Sequence, residues 1–240
     1  MGRGSNSFGE MAERFKAPVL KTGDGSNHPW VRIPLSPPFL PPFGDRRRMQ
    51  QVVDFILEID KLKGVSRKVR PLGQDRYENS AEHSWQIALL AASLAPYAES
   101  SVDIDRVIRM LLVHDIGEID TGDTMVFVEG GWEQRRAAER AAVERIFGLL
   151  PEAQCAQALL LWEEFERGES ADARFANAAD RAMPVLLNLA NAGQSWRENG
   201  ISYERVVGRV APPIKAGCPA LWDYLQSRLE EARGKGWFGA

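Results

Sequence analysis

The sequence predicts an all-α protein that folds as a single compact bundle of helices. Over most of the chain after residue 45, apolar residues recur at intervals of three and four positions, which is the spacing of one helix face. No run alternates apolar and polar residues with the β-branched enrichment typical of strands. The chain has 240 residues, of which 44% are hydrophobic. It is therefore long enough for one domain, or at most two, with a sizeable core.

The first two predicted helices lie between residues 46 and 94. Asn79, followed three residues later by Glu82, has the spacing of a capping box, in which each side chain bonds the backbone N–H of the other residue. This pair marks the start of a second helix, which continues to Leu94. The first helix is indicated by apolar residues spaced for one face, namely Val53, Ile56, Ile59 and Leu62.

Five further helices are predicted toward the C-terminus. The third helix is expected to end near Gly117, and residues 133–149, rich in Ala, Arg and Glu, form the fourth. Pro151 occupies a position suited to the first turn of the next helix, because a proline there loses no helical hydrogen bond. The last two predicted helices span 172–192 and 219–232. The apolar face of the third helix comprises Ile104, Val107, Ile108, Leu111 and Leu112.

Residues 1–45 differ in composition from the rest of the chain. Gly, Pro, Ser and Asn are frequent there, and residues 34–44 read PLSPPFLPPFG. Proline has no backbone N–H and clashes with the preceding helical turn, so this stretch is not helical. Residues 11–38 also resemble chain produced by translating a structural-RNA gene. We therefore expect 1–45 to be a flexible or non-native leader, and 46–240 to form the folded domain.

Charge and cysteine content narrow the cellular setting and the partners. A formal net charge of −3 argues against the broad basic surface that nucleic-acid binding needs. The two cysteines, Cys155 and Cys218, form no CxxC motif, which favours a reducing compartment. No apolar run approaches the roughly 20 residues that span a bilayer, and no signal-peptide pattern appears at the N-terminus. The sequence thus predicts a cytoplasmic protein without a nucleic-acid or membrane partner.

A histidine and several carboxylates are concentrated around the end of the third predicted helix. Glu118 follows His114 by four positions and Asp115 by three, spacings that place it on the same side of a helix. Asp123 comes next, in the turn sequence TGD. Negative charge concentrated in this way is costly unless a cation lies among it. The pattern therefore indicates a site for a divalent metal ion.

Two other predicted helices offer further ligands for this metal. His83 lies on the second helix, and Asp180 interrupts an apolar stretch of a later one. Two imidazoles and two carboxylates balance the charge of a divalent ion and suit Mn, Fe, Co or Zn, with Mg a further candidate. Each residue taken singly also fits an ordinary structural role, Asp180 for instance as an ion-pair partner of Arg181. The hypothesis therefore depends on the combination.

Three segments together resemble the HD-domain phosphohydrolases. They are AEHSW at 81–85, LVHDIGEIDTGD at 112–123 and AADRAMPVL at 178–186. Within that family the likeness is greatest to the 5′-deoxynucleotidase branch, and it extends from about residue 50 to the C-terminus. The ordered set is far more specific than any one segment. The resemblance implies the helical HD-domain fold and a homodimer.

The resemblance also implies a role for each motif residue in the metal centre. Glu118 matches the acidic residue that positions or activates the attacking water, and Asp123 matches an acidic residue near the sugar and the leaving group. The residues that match the ligands of one divalent metal ion are His83, His114, Asp115 and Asp180.

Two residues are candidates for contacting the substrate. Arg67 lies sixteen residues before His83 and matches a basic residue that contacts the substrate phosphate. The alternative for Arg67 is a solvated charge in a basic stretch. Trp85 is a candidate contact to the sugar or base, and its alternative is a core aromatic next to a ligand.

The sequence thus favours a metal-dependent phosphohydrolase that removes phosphate from (deoxy)nucleoside 5′-monophosphates. One alternative within the family is hydrolysis of another phosphate ester, by a dNTP triphosphohydrolase or a phosphodiesterase. A second alternative is a non-catalytic nucleotide-binding protein that keeps the HD fold. The basic residues at 66–79 leave the substrate open, because they exceed those of the plain deoxynucleotidase pattern.

Overall fold

Helices form nearly all of the regular structure in residues 46–128 and 130–239, which a computed structural model describes. The predicted leader at 1–45 lies outside these residues. In chain order the α-helices are α1 (Arg46–Ile59), α2 (Ser80–Leu94), α3 (Ile104–Val113), α4 (Glu118–Thr121), α5 (Trp132–Phe147), α6 (Glu152–Arg167), α7 (Ala171–Ala190), α8 (Gln194–Glu198), α9 (Tyr203–Gly217) and α10 (Pro219–Gly234). Short 3-10 helices span Asp60–Gly64 and Ala95–Tyr97.

Helix α7 lies at the centre of the main core and packs against α2, α3, α6, α9 and α10. Its N-terminus is capped by Ser170, whose hydroxyl accepts a hydrogen bond from the backbone N–H of Ala173. Small buried side chains let its neighbours approach closely. A Cβ added at Gly217 of α9 would lie only 2.2 Å from the carbonyl oxygen of Arg174. The buried alanines of α7 are Ala173, Ala176, Ala178, Ala179 and Ala182.

A second apolar cluster lies beside the segment that follows α3. Its buried members are Leu62, Ile116, Val143, Ile146, Phe147 and Trp162. The cluster joins the 3-10 helix after α1 to α5 and α6. The side chains of this cluster therefore pack against the residues that follow α3 and hold them in place.

The predicted start of α2 is confirmed. The side chain of Asn79 accepts a hydrogen bond from the backbone N–H of Glu82 at 2.9 Å. The Glu82 carboxylate in turn accepts one from the backbone N–H of Asn79 at 3.2 Å. Both halves of the capping box are thus present, and they fix the point at which the helix that carries His83 begins.

The segment before α2 folds back on itself as a short hairpin, which we call the 65–80 hairpin. Its two ends pair through backbone hydrogen bonds: Arg67 N–H donates to the Glu78 carbonyl at 2.9 Å, and Glu78 N–H donates to the Val69 carbonyl at 2.8 Å. Ser80 N–H closes the pairing onto the Val65 carbonyl at 3.1 Å. The hairpin therefore brings Arg67 next to the start of α2.

The prediction for the face of α1 is partly wrong. Val53 and Ile56 were expected to face the core, yet they are 42% and 53% exposed. Ile59 and Leu62 of the predicted face do pack in the second cluster, and Phe55, which was not in the predicted set, packs with them. Apolar spacing alone allowed either face of this helix, and the neighbouring helices select the one that contains Phe55.

Helix α9 was not predicted. Pro212 and Pro213 lie inside it, and proline normally disfavours a helix interior because it lacks an N–H and clashes with the preceding turn. Buried Val206, Val210 and Ile214 pack in the core with α7. Burial of this apolar face compensates for the two prolines. No helix in the part of the chain that the structure describes is long and apolar enough to cross a membrane.

Candidate metal centre

Three separate segments bring the proposed ligands together. His83 comes from α2, His114 and Asp115 from the turn after α3, and Asp180 from α7. The His83 Nε2 atom lies 2.9 Å from Asp180 Oδ1, and the two imidazole rings have centroids 5.7 Å apart. One ligand atom from each of His83, His114 and Asp115 lies within 4.8 Å of the others. The described residues thus contain a group with the spacing of a metal site.

The turn that carries His114 differs from the predicted helix end. Helix α3 ends at Val113 rather than near Gly117, and α4 begins separately at Glu118. Backbone hydrogen bonds of the i to i+3 kind join these residues, including Glu118 N–H to the Asp115 carbonyl at 3.0 Å. Tight turns therefore bring Asp115 and Glu118 together, not one continuous helix.

One ring nitrogen of His114, Nε2, lies close to the carboxylates of neighbouring residues. The Nδ1 atom of His114 lies 2.9 Å from the Leu111 carbonyl oxygen, which only accepts, so Nδ1 carries a hydrogen and Nε2 is the nitrogen left for a second proton or a metal ion. That Nε2 is buried without a hydrogen-bond partner and lies 3.0 Å from Asp115 Oδ1. A lone pair facing a carboxylate is repulsive unless a proton or cation lies between them. The arrangement therefore fits a metal ion.

The two histidines have opposite pKa shifts. Burial lowers the pKa of His83 to about 4, with a further contribution from Arg67. Burial also opposes the charged form of His114, but the carboxylates of Asp115 and Asp180 outweigh it and raise the pKa to about 10. His83 is thus already neutral at pH 7, as a metal ligand must be. A metal ion bound to His114 would have to displace a proton.

Packed aromatic side chains hold His114 from behind. The indole Nε1 of Trp162 donates to the His114 backbone carbonyl at 3.1 Å, and the Phe165 ring lies 4.8 Å from the imidazole, centroid to centroid. Trp162 is itself almost fully buried. The position of His114 is therefore fixed by Trp162 of the second apolar cluster and Phe165 of the main core.

The carboxylates of Asp115 and Asp180 remain ionised despite their burial. For Asp115, burial opposes ionisation, but His114 and Arg67 outweigh it and lower the pKa to about 2. Burial likewise opposes ionisation of Asp180, whereas Arg181 and the two histidines hold its pKa well below the usual range. Both groups are therefore anionic at pH 7 and available to a cation.

Arg67 reaches this centre from the 65–80 hairpin. Its NH1 donates to Asp115 Oδ2 at 2.8 Å and lies 3.6 Å from Asp123 Oδ1 and 4.0 Å from Glu118 Oε1. The side chain is only 12% exposed, so its reading as a solvated charge is wrong. Burial alone would lower the pKa of Arg67, but the surrounding carboxylates outweigh burial and raise the pKa above its ordinary value. The guanidinium therefore stays charged.

Glu118 is held by a residue that the sequence analysis missed. The Ser80 hydroxyl donates to Glu118 Oε2 at 2.6 Å. Burial, together with the charges of Asp115 and Asp123, raises the pKa of Glu118 to about 9, although Arg67 opposes the shift. Ser80 is the first residue of α2, directly after the capping residue, and that position was the available signal.

Trp85 does not join the other predicted residues. Its side chain is 61% exposed, so its reading as a core aromatic is wrong. The residue also falls outside the lining of the cavity at the metal centre. Trp85 lies two residues past His83 on α2, and two residues turn a helix by about 200°. It therefore faces away from the metal centre.

A cavity of about 450 Å³ opens onto these residues. That volume lies within the roughly 300–1,000 Å³ typical of small-molecule sites. Its lining includes the charged residues Arg67, Asp115, Glu118 and Asp123 and the aromatic residues Phe127 and Trp132. The cavity thus combines charged and aromatic side chains, which suits a ligand that has an anionic and an aromatic part.

Comparison with known proteins gives a family and several relatives. The family profile described as "HD domain" matches residues 59–222. The chain is similar to the 5′-deoxynucleotidase HDDC2 of Xenopus laevis, with 29% identity over 184 residues, covering 73% of this chain and 90% of that protein. The human protein of the same name is 29% identical over 136 residues, covering 55% of this chain and 65% of that protein.

A solved structure is similar over the whole of its length. It is described as a predicted metal-dependent phosphohydrolase from Magnetospirillum magnetotacticum MS-1 and matches with a TM-score of 0.75. Its sequence is 42% identical, and the match covers 81% of this chain and 100% of that one. The likeness therefore includes the helices that carry the metal centre.

Proposed function

This chain belongs to the HD-domain family of phosphohydrolases, and we propose that it removes phosphate from deoxynucleoside 5′-monophosphates. The observation that carries the proposal is the meeting of His83, His114, Asp115 and Asp180 beside a cavity whose lining includes Arg67 and Glu118. The choice of substrate is supported by the similarity to proteins named 5′-deoxynucleotidase.

A divalent metal ion fits the ligand set. His83 and His114 would supply imidazole nitrogens, and Asp115 and Asp180 carboxylate oxygens, which together suit Mn, Co, Fe or Zn, with Mg a further candidate. A metal bound there lowers the pKa of coordinated water and polarises a phosphoryl oxygen. The orphaned Nε2 of buried His114 is the feature that best supports this assignment.

Glu118 and Arg67 would act on the two reacting partners. A divalent cation beside Glu118 would favour its ionised form, which would accept a proton from the attacking water or orient it. The Ser80 hydroxyl would fix the carboxylate for this task. The Arg67 guanidinium offsets negative charge on the transferred phosphate. Contacts with Asp115 and Asp123 hold the Arg67 guanidinium in the lining of the cavity.

Asp123 would serve the leaving group. Its carboxyl is mostly buried, and burial raises its pKa above the usual range, with Arg67 opposing the shift. A raised pKa favours the protonated form, which can donate to the departing 5′ oxygen. Gly122 just before it has a φ of 74°, a value that L-residues rarely adopt, so the TGD turn sets the direction of Asp123.

The test is phosphate release from a panel of esters by the full-length chain loaded with Mn²⁺ or Co²⁺. The panel comprises deoxy and ribo 5′-monophosphates, 3′-monophosphates, cyclic and linear diesters, and dNTPs. Asp115→Asn serves as the inactive variant. Asp120→Asn is the matched control, because Asp120 lies nearby on α4 but pairs with Arg145 at the surface.

Each outcome selects a reading. Inorganic phosphate from deoxy 5′-monophosphates, lost in Asp115→Asn and kept in Asp120→Asn, supports the proposal. Triphosphate from dNTPs would point to a triphosphohydrolase, and cleavage of diesters to a phosphodiesterase. Nucleotide binding without turnover of any ester would point to a non-catalytic binding protein.

The proposal extends to the setting of the protein, a cytoplasmic homodimer whose partner is a nucleotide rather than nucleic acid or membrane. Cys155 and Cys218 are free thiols, which suits a reducing compartment. On α1 the apolar residues Met49, Ile56 and Leu57 are exposed. Association of two chains through α1 would remove this apolar surface from water, which favours a dimer. Light scattering of the wild-type protein and of Ile56→Asp measures whether two chains associate through α1.

A further inference from the structure

A buried carboxylate behind the metal centre has no role in the chemistry described so far. Glu78 lies at the end of the 65–80 hairpin, and its side chain is only 2% exposed. Its Oε2 atom lies 3.6 Å from His83 Nδ1 and 3.6 Å from Arg67 Nε. One carboxylate oxygen thus contacts a proposed metal ligand and the proposed phosphate-binding residue at once.

The three facing atoms share an unusual property. Glu78 Oε2, His83 Nδ1 and Arg67 Nε are all buried, and none of them has a hydrogen-bond partner within the usual distance. A buried polar atom without a partner costs about 1–3 kcal/mol. Once a metal ion takes the Nε2 lone pair of His83, Nδ1 carries the hydrogen and two N–H donors face one acceptor oxygen. A contraction of about half an ångström would then turn both contacts into hydrogen bonds.

The backbone fixes Glu78 relative to both partners. Its N–H and C=O form the central hydrogen bonds of the 65–80 hairpin, to Val69 and Arg67. The next residue, Asn79, caps α2, the helix that carries His83. The backbone of Glu78 is therefore fixed relative to the segment of the hairpin that carries Arg67 and to the helix that carries His83.

We propose that Glu78 is a positioning residue that orients His83 and Arg67 together. By accepting the Nδ1–H of His83 it selects the tautomer whose Nε2 lone pair points toward Asp180 and the metal position. By accepting the Nε–H of Arg67 it aims NH1 at Asp115 and at the substrate phosphate. Metal binding and phosphate binding are then coupled through one side chain. The phosphate half rests on the proposed function, whereas the metal half does not.

The experiment measures the affinity of the full-length protein for Co²⁺ and, in the Co²⁺-loaded protein, for inorganic phosphate. The variants are Glu78→Ala and Glu78→Gln. Glu198→Gln is the matched control, because Glu198 contacts the same hairpin from the outside, through Arg70 and Tyr77. Neither binding measurement requires turnover, so the result is independent of which ester the enzyme hydrolyses.

Glu78→Ala is expected to weaken Co²⁺ binding by about 10–100-fold, the usual effect of losing a partner of a metal-bound histidine. It should also weaken phosphate binding by about tenfold. Glu78→Gln retains one acceptor oxygen, so its loss of Co²⁺ affinity should be smaller, and its visible Co²⁺ spectrum should differ from that of the wild type. Glu198→Gln should bind Co²⁺ within twofold of the wild type.

Two results would overturn the proposal. The first is Co²⁺ affinity within twofold of the wild type in both Glu78 variants. The second is an equal loss in Glu198→Gln, since the effect would then come from loosening the hairpin as a whole. Should Glu78→Ala fail to fold, Glu78→Gln decides by the same twofold criterion. Failure of the proposed function would appear differently, as normal metal binding without phosphate release.

Discussion

The Ser80 hydroxyl donates to Glu118 Oε2 over 2.6 Å, although the two residues are 38 positions apart. This contact ties the first turn of α2 to the one-turn helix α4. Glu118 is the residue proposed to act on the attacking water. The hydrogen bond from Ser80 holds its carboxylate in one orientation. The site is therefore sensitive to a side chain that touches neither metal nor substrate.

Ser80→Ala is expected to lower kcat by about tenfold. A hydrogen bond to a charged group contributes about 1.5–3 kcal/mol, and 1.36 kcal/mol corresponds to a factor of ten in rate. Steady-state kinetics on the best substrate of the panel measures the change. Ser84→Ala is the control, because Ser84 is also buried on α2 but donates to the Ser80 carbonyl. Equal effects of the two substitutions would count against the aiming of Glu118.

Glu118→Gln should bind metal as the wild type does, yet lose about 10²–10⁴-fold in turnover, the usual contribution of a general base. The amide keeps the shape of the side chain but cannot accept the water proton. Metal content and single-turnover rate are measured on the same preparation. Full activity in this variant would remove Glu118 from the reaction.

Asp115→Asn should weaken divalent-metal binding by more than the 10–100-fold that is typical of losing an outer partner. It removes a negative charge and leaves one acceptor oxygen where Asp115 has two, so the metal ion and Arg67 can no longer each have a carboxylate oxygen. Metal titration of Asp115→Asn and Asp120→Asn in parallel tests this, since both changes remove one negative charge from the same region. Similar affinities in the two variants would contradict the assignment of Asp115.

Trp162→Phe should reduce the free energy of unfolding by about 1–3 kcal/mol, because the backbone carbonyl of His114 loses its buried indole donor. For a chain of this size the melting temperature falls by roughly 2–4 °C per kcal/mol. Trp222→Phe is the comparison, since its indole donates only to Gln226 on the same helix. A smaller loss for Trp162→Phe than for Trp222→Phe would argue against a supporting role.

Glu139→Gln should change how stability depends on pH. Burial, together with the charges of Glu166 and Asp115, raises the pKa of Glu139 from 4.5 to about 7. Between these values the unfolded chain releases a proton that the folded chain keeps, so stability falls as pH rises through this window. A glutamine does not ionise and avoids that loss.

The gain in Glu139→Gln should therefore be absent near pH 4.5 and complete above pH 7. Its size is on the order of 1 kcal/mol, because solvent screens a partly exposed group. Chemical denaturation at several pH values measures it. Glu230→Gln on the exposed face of α10 is the control, and a gain that did not grow with pH would contradict the prediction.

The residues of the candidate metal centre could be proposed from sequence because each motif is local. His114, Asp115, Glu118 and Asp123 lie within ten positions, and the capping box at Asn79 locates the helix of His83. Helical spacing also identified most of the helices. It could not separate the two faces of α1, because the choice between Val53 and Phe55 depends on which neighbour packs against the helix.

The supporting residues were hidden because they depend on tertiary pairing. Glu78 reaches His83 and Arg67 only because the 65–80 hairpin folds back on itself, and such a pairing of few residues has no periodic signature. Trp85 lies outside the cavity lining for a simple geometric reason. Nearness in sequence to His83 does not imply nearness in space when the two side chains leave opposite sides of α2.

The separation of the ligands along the chain has a consequence for biosynthesis. His83 and Asp180 are 97 positions apart, so a ribosome adding about 5–20 residues per second needs roughly 5–20 s to pass from one to the other. For the later part of that interval the nascent chain contains His83, His114 and Asp115 without Asp180. A site that uses all four residues would therefore be completed only after α7 has been synthesised and has packed against α2 and α3.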